Sequence, residues 1–436
     1  MSDVAAAACI FCKIPEDRKI HRSAATVYIL RYSLLSLPSP PMSTKLQGHA
    51  ARRSAAAEIA CMLMGSTIVT PLYALYREAF GFSEVTLTLI YAAYALGNLC
   101  ALFLLGRLSD QIGRRPTALP AVGIAIAAML VFLFASDTAW LFVGRALTGL
   151  GIGLASGASA AWIADLTKRD KASRSSTIVT GSIFAGLAIG ALLAGVLAEY
   201  APAPLRLPFV VYLVLLVTVA FFVSRTKETV RDTVDTLSET SLKPRIGVPK
   251  DIRGRFVSPA TTAFAAFALA GFYVALSPSL LSRDMDISNA AVGGAIVCEL
   301  FVAAAIAVAV TAHVKARTAM LAGAALLIPS VAFLVAAQAM SSLPVLIAGT
   351  LLNGLALALG YRGSLEVIND IAPEEKRAEV VSSYQIVCFT GNGLPVVGVG
   401  VIASMWTPMI ATVSLAVLLS VLAMVALATE MKMGAK

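Results

Sequence analysis

Two charged side chains stand inside long apolar segments of this sequence. Arg145 follows Gly144 in a glycine-rich stretch, and Glu299 lies about ten residues into the apolar segment 289–311. A charge in the middle of a membrane span costs about 2.5–3.5 kcal/mol, so it normally has a partner or a function. A buried carboxyl can carry a proton, because burial disfavours its charged form. We therefore expect Arg145 and Glu299 to form a proton-coupling site.

Each of these residues also has a simpler explanation. Arg145 could extend to an outer membrane interface, or it could bind an anionic cargo directly. Glu299 could be held by a hydrogen bond between helices. The two residues fall in different halves of the chain, so the sequence alone leaves these alternatives open.

A short polar segment separates the apolar runs Val85–Leu105 and Thr117–Ala135. It has glycines near both ends, one aspartate and three arginines: Gly106, Arg107, Asp110, Gly113, Arg114 and Arg115. A loop this short between two segments long enough to span a bilayer must turn at the membrane surface. The arginines indicate the cytoplasmic side, and the glycines permit a tight turn.

The composition excludes a soluble enzyme. The 436 residues are 58% hydrophobic and 14% charged, against about 25% charged in soluble domains, and the mean hydropathy is +0.83. The net charge of +9 comes from loop lysines and arginines, as in membrane proteins, and does not indicate a nucleic-acid partner. With three histidines and neither a Walker nor a catalytic motif, we expect no enzyme activity, no cofactor and no metal site.

Twelve apolar segments predict an all-α membrane protein with two six-helix, pseudo-symmetric halves. The predicted regions are an N-terminal leader at 1–55, a first half at 56–223, a charged cytoplasmic linker at 224–257, a second half at 258–429 and a cytoplasmic tail at 430–436. The leader has no spanning pattern, and we expect it to be disordered or, for residues 1–41, an upstream artefact. The lysine and arginine bias predicts a multi-pass protein of the inner (plasma) membrane with both termini in the cytoplasm.

The second half repeats the first at a constant offset. Gly144 recurs as Gly349, 205 residues later, and the same offset relates Asp165 to Asp370. Two similar halves joined by a linker suit a transporter that rocks one half against the other.

The pattern Gly-x-Leu-x-Asp-x-x-Gly-Arg-Arg resembles the loop motif between helices 2 and 3 of the major facilitator superfamily. The match is complete between Gly106 and Arg115. The resemblance implies that Asp110 faces the start of helix 11, here 373–380, and that Arg114 pairs with Asp165 at the inner end of helix 4. Such contacts would latch the inner side shut while the cavity opens outward.

Other parts of the resemblance are less complete. Arg145-x-x-x-Gly149 is similar to a family motif linked to proton coupling, although Thr148 stands where that motif favours glutamine. The glycine series of helix 5 resembles an antiporter motif but has Ala191 where the motif has proline, which puts the transport direction in doubt. The family resemblance also implies a central cavity, for which the polar and aromatic candidates are Thr70, Tyr73, Tyr94, Asn98, Tyr273, Ser277, Asn353 and Gln385.

The sequence therefore predicts a secondary transporter that moves a small molecule by alternating access. Proton-coupled efflux is the preferred hypothesis, with protons and the lipid bilayer as partners and a monomer as the expected state. Proton-coupled uptake of a sugar or a carboxylate is the alternative. A non-transporting membrane sensor with the same fold is a third possibility.

Overall fold

The protein is an all-helical membrane protein. The computed structural model describes residues 46–167, 172–230 and 246–434. Its twelve long helices are α1 Gly48–Phe80, α2 Glu84–Leu105, α3 Arg114–Leu133, α4 Thr138–Asp165, α5 Ala172–Tyr200, α6 Leu207–Arg225, α7 Arg253–Asp284, α8 Ala290–Val310, α9 Ala316–Ala339, α10 Leu343–Ile371, α11 Arg377–Met405 and α12 Pro408–Gly434.

The helices form because lipid offers no partner for backbone N–H and C=O groups, so a spanning segment must satisfy them internally. Each of the twelve is long and apolar enough to cross a bilayer, which confirms the twelve predicted spans. Large apolar side chains such as Phe134, Val214 and Val310 remain exposed on the outside of the bundle. A lipid environment explains this exposure, which a soluble protein would avoid.

Several helix ends differ from the sequence-based boundaries. Helix α1 begins at Gly48, inside the region expected to be a leader, and α7 begins at Arg253, inside the expected linker. Helix α12 continues to Gly434, into the expected tail. The predicted boundaries followed hydropathy, whereas these helices extend beyond their apolar cores with charged turns at the surface. The remaining leader, up to residue 45, lies outside the described residues.

Helix α1 is interrupted near its middle. Its regular part ends at Thr67, a short 3-10 turn covers Thr70–Leu72, and the helix resumes at Tyr73. Pro71 lies in this turn. Proline has no backbone N–H to donate, and its ring clashes with the carbonyl four residues earlier, so an α-helix breaks there.

Equivalent helices pack against each other in the two halves. In the first half α4 packs against α2 and α3, and in the second half α10 packs against α8 and α9. Between the halves, α2 packs against α11 and α5 packs against α8. These reciprocal pairs follow the internal repeat, and they enclose a central space between the halves.

One face of the bundle is closed by contacts between the halves. We call it the gate face; it carries the ends of α1 and α7. Arg283 Nη1 contacts Glu84 Oε2 at 2.6 Å, joining α7 to α2. Glu199 at the end of α5 accepts a hydrogen bond of 2.8 Å from the backbone N–H of Ala290, at the start of α8. Gly195 permits this approach, because a Cβ there would lie 2.6 Å from the carbonyl oxygen of Ala290.

Candidate functional site

A cavity of about 770 Å³ lies between the two halves. Gly106, Ser109 and Thr167 from the first half and Val381 from the second line one end of it. These residues belong to the face that carries the polar Gly106–Pro116 loop, which we call the motif-loop face. Because the gate face is held shut, the cavity opens toward the motif-loop face.

The cavity wall is mainly apolar and aromatic, and its polar groups are uncharged hydroxyls and amides. Every described residue that lines it is uncharged. The aromatic part of the wall consists of Tyr91, Tyr94, Phe184, Phe267, Phe301, Tyr361 and Phe389. Gln385 and Asn392 contribute the two side-chain amides of the lining. A wall of this kind suits a compound with a flat apolar body and few polar groups.

Arg145 lies directly behind this wall. Its side chain is fully buried, and its guanidinium carbon lies 5.8, 5.3 and 5.0 Å from the ring centres of Tyr73, Tyr91 and Tyr94. Nη1 donates a hydrogen bond of 2.8 Å to the carbonyl oxygen of Ser66. Arg145 therefore does not extend to a membrane interface; it is held in the bundle by three aromatic rings.

The local backbone explains this position. Ser66 lies just before the break in α1, and its carbonyl oxygen accepts the hydrogen bond from Arg145. Gly149 lies one turn after Arg145 on α4, where a Cβ would clash with the carbonyl oxygen of Tyr94. A glycine at this position lets α4 pack closely against α2 and brings the guanidinium beside the rings of α2.

The structure places the eight predicted cavity residues in two groups. Tyr94 and Gln385 line the cavity. The other six are buried in the bundle but are not among the lining residues: Thr70, Tyr73, Asn98, Tyr273, Ser277 and Asn353. Tyr91 and Asn392 were not among the eight, yet both line the cavity, and the Tyr91 hydroxyl donates to Asn392 Oδ1 at 2.9 Å. This bond joins α2 to α11 across the two halves.

The expected pair of Arg145 and Glu299 is not formed in this conformation. Arg145 is enclosed by α1 and α2, whereas Glu299 lies on α8, partly exposed and outside the cavity lining. None of the ion pairs among the described residues joins them.

A different carboxyl is completely buried in the first half. Glu58 on α1 is 0% exposed. Its Oε2 accepts a hydrogen bond of 2.6 Å from the hydroxyl of Ser159 on α4, while its Oε1 has no hydrogen-bond partner in the described part of the chain. The sequence analysis placed Glu58 in the first half, at 56–223, but missed it as a buried charge because it stands one position before the apolar run that begins at Ile59.

The predicted latch residues of the first half lie together. Arg114 contacts Asp110 and also donates through Nε to Asp165 Oδ2 at 3.2 Å. Its Nη1 donates to the Ser109 hydroxyl at 2.9 Å. Asp110 itself remains 66% exposed, and its ion-pair partner lies in its own loop rather than on α11. The cross-half part of the expected latch is therefore not made here, which agrees with a cavity open at this face.

An additional acid completes the motif loop. The carboxylate of Glu228, which follows α6, accepts the backbone N–H groups of Arg114 at 3.0 Å and Arg115 at 2.8 Å, at the start of α3. Gly113 allows this approach: its φ is +107°, and a Cβ there would lie 2.9 Å from Glu228 Oε2. Arg115 also donates to the carbonyl oxygen of Ser224 at 3.4 Å, while Arg107 precedes the short helix Leu108–Ile112.

The Glu228 carboxylate is held in its charged form. Partial burial acts to raise its pKa, but hydrogen bonds from the backbone N–H groups of Val230, Arg115, Arg114 and Thr229 outweigh burial and lower the pKa below its ordinary value. No pattern in the sequence distinguished this glutamate from the other acids of the linker.

Comparisons with known proteins agree with this architecture. The family model of the Major Facilitator Superfamily matches residues 59–313, more than half of the chain. The chain belongs to the major facilitator superfamily. The complete loop motif therefore correctly indicated this family.

Two relatives in the superfamily match parts of the chain. Tetracycline resistance protein, class B, of Escherichia coli is 30% identical over 177 residues, which are 40% of this chain and 44% of that protein. Multidrug resistance protein MdtL of Escherichia coli is 34% identical over 71 residues, which are 16% of this chain and 18% of that protein. The chain thus spans less than half the length of these relatives.

A solved transporter structure has a similar fold. It is a bacterial homolog of the human lysosomal transporter Spinster, in an inward-facing and unoccupied conformation, with a TM-score of 0.70 and 18% identity. The match covers 91% of this chain and 99% of that one. At this identity the likeness supports the fold alone.

Proposed function

We propose that this transporter exports a small, largely apolar compound across the inner (plasma) membrane, in exchange for protons, by alternating access. The observation that carries the proposal is the cavity, which has an aromatic wall without a charged residue among those described. Its motif-loop face would be cytoplasmic, so the conformation described would take its cargo from inside the cell.

The polarity of the wall favours an apolar cargo over a sugar. A sugar presents many hydroxyl groups, and each needs a hydrogen-bond partner when it leaves water. The aromatic rings of this wall offer apolar contact instead. The names of the two relatives, which describe resistance to tetracycline and to multiple drugs, support export as the direction.

We assign the exchanged proton to Glu58. A carboxylate that is fully buried and has one oxygen without a partner is costly when charged, so it needs a proton in the conformation described. Opening of the other face would change the access of water to α1 and α4, and the proton could then be exchanged. Glu299 remains a second candidate, because it also lies inside a span, but partial exposure lowers the cost of its charge.

The proposal can be tested in inverted membrane vesicles, in which export appears as uptake. With an acidic interior and a neutral exterior, we expect accumulation of radiolabelled tetracycline or naphthalene-1-sulfonate, and collapse of the pH gradient with nigericin should abolish it. Inverted vesicles from cells that lack the transporter give the background level of accumulation.

The alternatives give different results. Proton-driven accumulation only in right-side-out vesicles would favour uptake by symport. If the labelled compound reaches equal levels with and without the transporter, in both vesicle orientations and with the pH gradient in either direction, the protein does not transport apolar compounds. This result would favour a sensor.

A further inference from the structure

One edge of the buried Arg145 guanidinium is unused. Nη1 donates to Ser66, but neither Nε nor Nη2 has a hydrogen-bond partner in the described part of the chain. In a guanidinium the Nε–H and one Nη2–H point in the same direction along one edge. This edge binds the two oxygens of a carboxylate, or of a related oxyanion, through parallel hydrogen bonds.

The positive charge of Arg145 is not compensated by an ion pair within the described part of the chain. The buried Glu58 is bonded to Ser159 instead. The tyrosine rings compensate part of the charge, because a desolvated cation gains from an aromatic face. They cannot accept the in-plane N–H donors of the free edge, which still lacks an acceptor.

The rings of Tyr73, Tyr91 and Tyr94 form a cage around Arg145, and a single layer of side chains separates Arg145 from the cavity. Ser66, Tyr91 and Tyr94 each contact Arg145 and each also line the cavity. The Tyr91 hydroxyl is tied to Asn392 of the other half. A movement of the halves that breaks this bond would release Tyr91 and give a cavity ligand access to the guanidinium.

We propose that the cargo is an apolar acid, whose oxyanion binds the free Nε–Nη2 edge of Arg145 while its apolar body lies against the aromatic wall. This inference rests on the proposed function, since it names the charge class of the exported compound. The wall carries no negative charge among its described residues. A cationic compound would therefore be repelled by Arg145 without compensation.

The test is a series of ligands with one aromatic body and three charges. Binding of 1-naphthoate, 1-naphthalenemethanol and 1-naphthylmethylammonium to the purified full-length transporter in lipid nanodiscs is measured by equilibrium dialysis at pH 7.5. We expect the Kd of the acid to be at least tenfold lower than that of the alcohol, and the amine to bind most weakly. An amine that binds as tightly as the acid, or absence of binding by all three, overturns the proposal.

Substitutions at Arg145 then assign the preference to one side chain. Arg145→Gln keeps hydrogen-bond donors without the charge and should bring the acid and the alcohol to equal Kd values. Arg145→Lys keeps the charge without the bidentate edge. The logarithm of the ratio of the Kd of the alcohol to the Kd of the acid should fall to about half of its value in the unmodified protein. Arg206→Gln removes an exposed positive charge on the gate face and serves as the matched control, with an unchanged preference.

The outcome is independent of proton coupling. Binding is measured without a pH gradient, so it does not depend on proton-driven export. If the acid binds preferentially but the vesicles show no proton-driven export, the proposed function is wrong and the assignment of Arg145 as the anion site is retained. If Arg145→Gln does not fold, the ligand series on the unmodified protein and on Arg145→Lys still decides. A preference for the acid that survives Arg145→Gln shows that another group binds the anion.

Discussion

Glu58 and Arg145 join the same two helices by polar contacts in opposite directions. Glu58 of α1 accepts from Ser159 of α4, whereas Arg145 of α4 donates to Ser66 of α1. At the offset of the internal repeat, Arg145 corresponds to Thr350 and Ser159 to Ser364, and Ser364 contacts the Tyr384 hydroxyl at 3.0 Å. The repeat thus conserves small polar groups, while the first half alone carries these two buried charges.

A substitution of Glu58 separates proton coupling from cargo movement. Glu58→Gln keeps the size and the Ser159 contact but cannot release a proton. We expect gradient-driven accumulation in inverted vesicles to fall to the background, while exchange of labelled for unlabelled cargo continues, because exchange needs no net proton movement. Both rates are measured in the same vesicle preparation.

Glu299→Gln is the matched control for this prediction. It removes the carboxyl that the sequence favoured, and we expect it to keep most of the gradient-driven accumulation. Loss of accumulation in Glu299→Gln together with normal accumulation in Glu58→Gln would transfer the proton to Glu299.

The sequence identified Arg145 as a charge inside an apolar segment but did not predict its surroundings. A charge in an apolar segment is visible from composition, since its cost demands an explanation. The cage of Tyr73, Tyr91 and Tyr94 depends on the break in α1 and on the close packing of α2 with α4, which are tertiary features. Tyr91 carried a weak signal, because it stands three residues before Tyr94 on one face of a helix.

At the scale of elements, the loop before α3 shows how distant segments assemble a helix start. The first backbone N–H groups of a helix have no partner within it. Glu228, more than a hundred residues away along the chain, supplies acceptors for two of them. The spans themselves were predictable from hydropathy, but this contact was not, because a capping residue normally stands next to its helix in sequence.

Glu228→Gln should destabilise the motif loop. The substitution replaces a charged acceptor by a neutral one at a helix N-terminus, where loss of a cap costs about 1 kcal/mol. We expect the Tm of the detergent-purified protein to fall by a few degrees, as measured by intrinsic fluorescence. Glu375→Gln, which changes an exposed glutamate before α11, should leave the Tm unchanged.

The pH dependence of this effect follows from the lowered pKa of Glu228. A carboxylate with a lowered pKa stabilises the folded state fully above the ordinary glutamate pKa, and the stabilisation is lost as the pH falls through the lowered value. The Tm difference between the unmodified protein and Glu228→Gln should therefore shrink with acidification below about pH 4. A difference that stays constant to pH 3 would contradict a charged cap.

At the scale of the whole molecule, the two faces hold complementary sets of charges. On the gate face, Arg283 and Glu84 join the halves at 2.6 Å. On the motif-loop face, Asp110, Arg114 and Asp165 lie together within the first half, and Asp110 is exposed. The family resemblance implies that Asp110 faces the start of α11 when this face is closed. We infer that the gate pair stabilises the conformation described and that Asp110 stabilises the alternative one.

This inference predicts opposite effects of two substitutions. Glu84→Gln should favour opening of the gate face, because it removes a contact made only while that face is closed. Asp110→Asn should favour the conformation described, because it replaces a charged acceptor for the start of α11 by a neutral one. A partly exposed ion pair contributes up to about 1 kcal/mol, so each population ratio should change by about fivefold.

Spin-label distances on both faces measure these populations. Labels at Ala79 and Ser288 report on the gate face, and labels at Ala50 and Ala312 report on the motif-loop face; all four residues are exposed and uncharged. Glu84→Gln should lengthen the first distance and shorten the second, and Asp110→Asn should do the reverse. The double substitution should restore the original distribution, because the two effects act on one equilibrium. If both substitutions shift the distances in the same direction, the two charge sets do not oppose each other, and alternating access in this transporter must be controlled by other contacts.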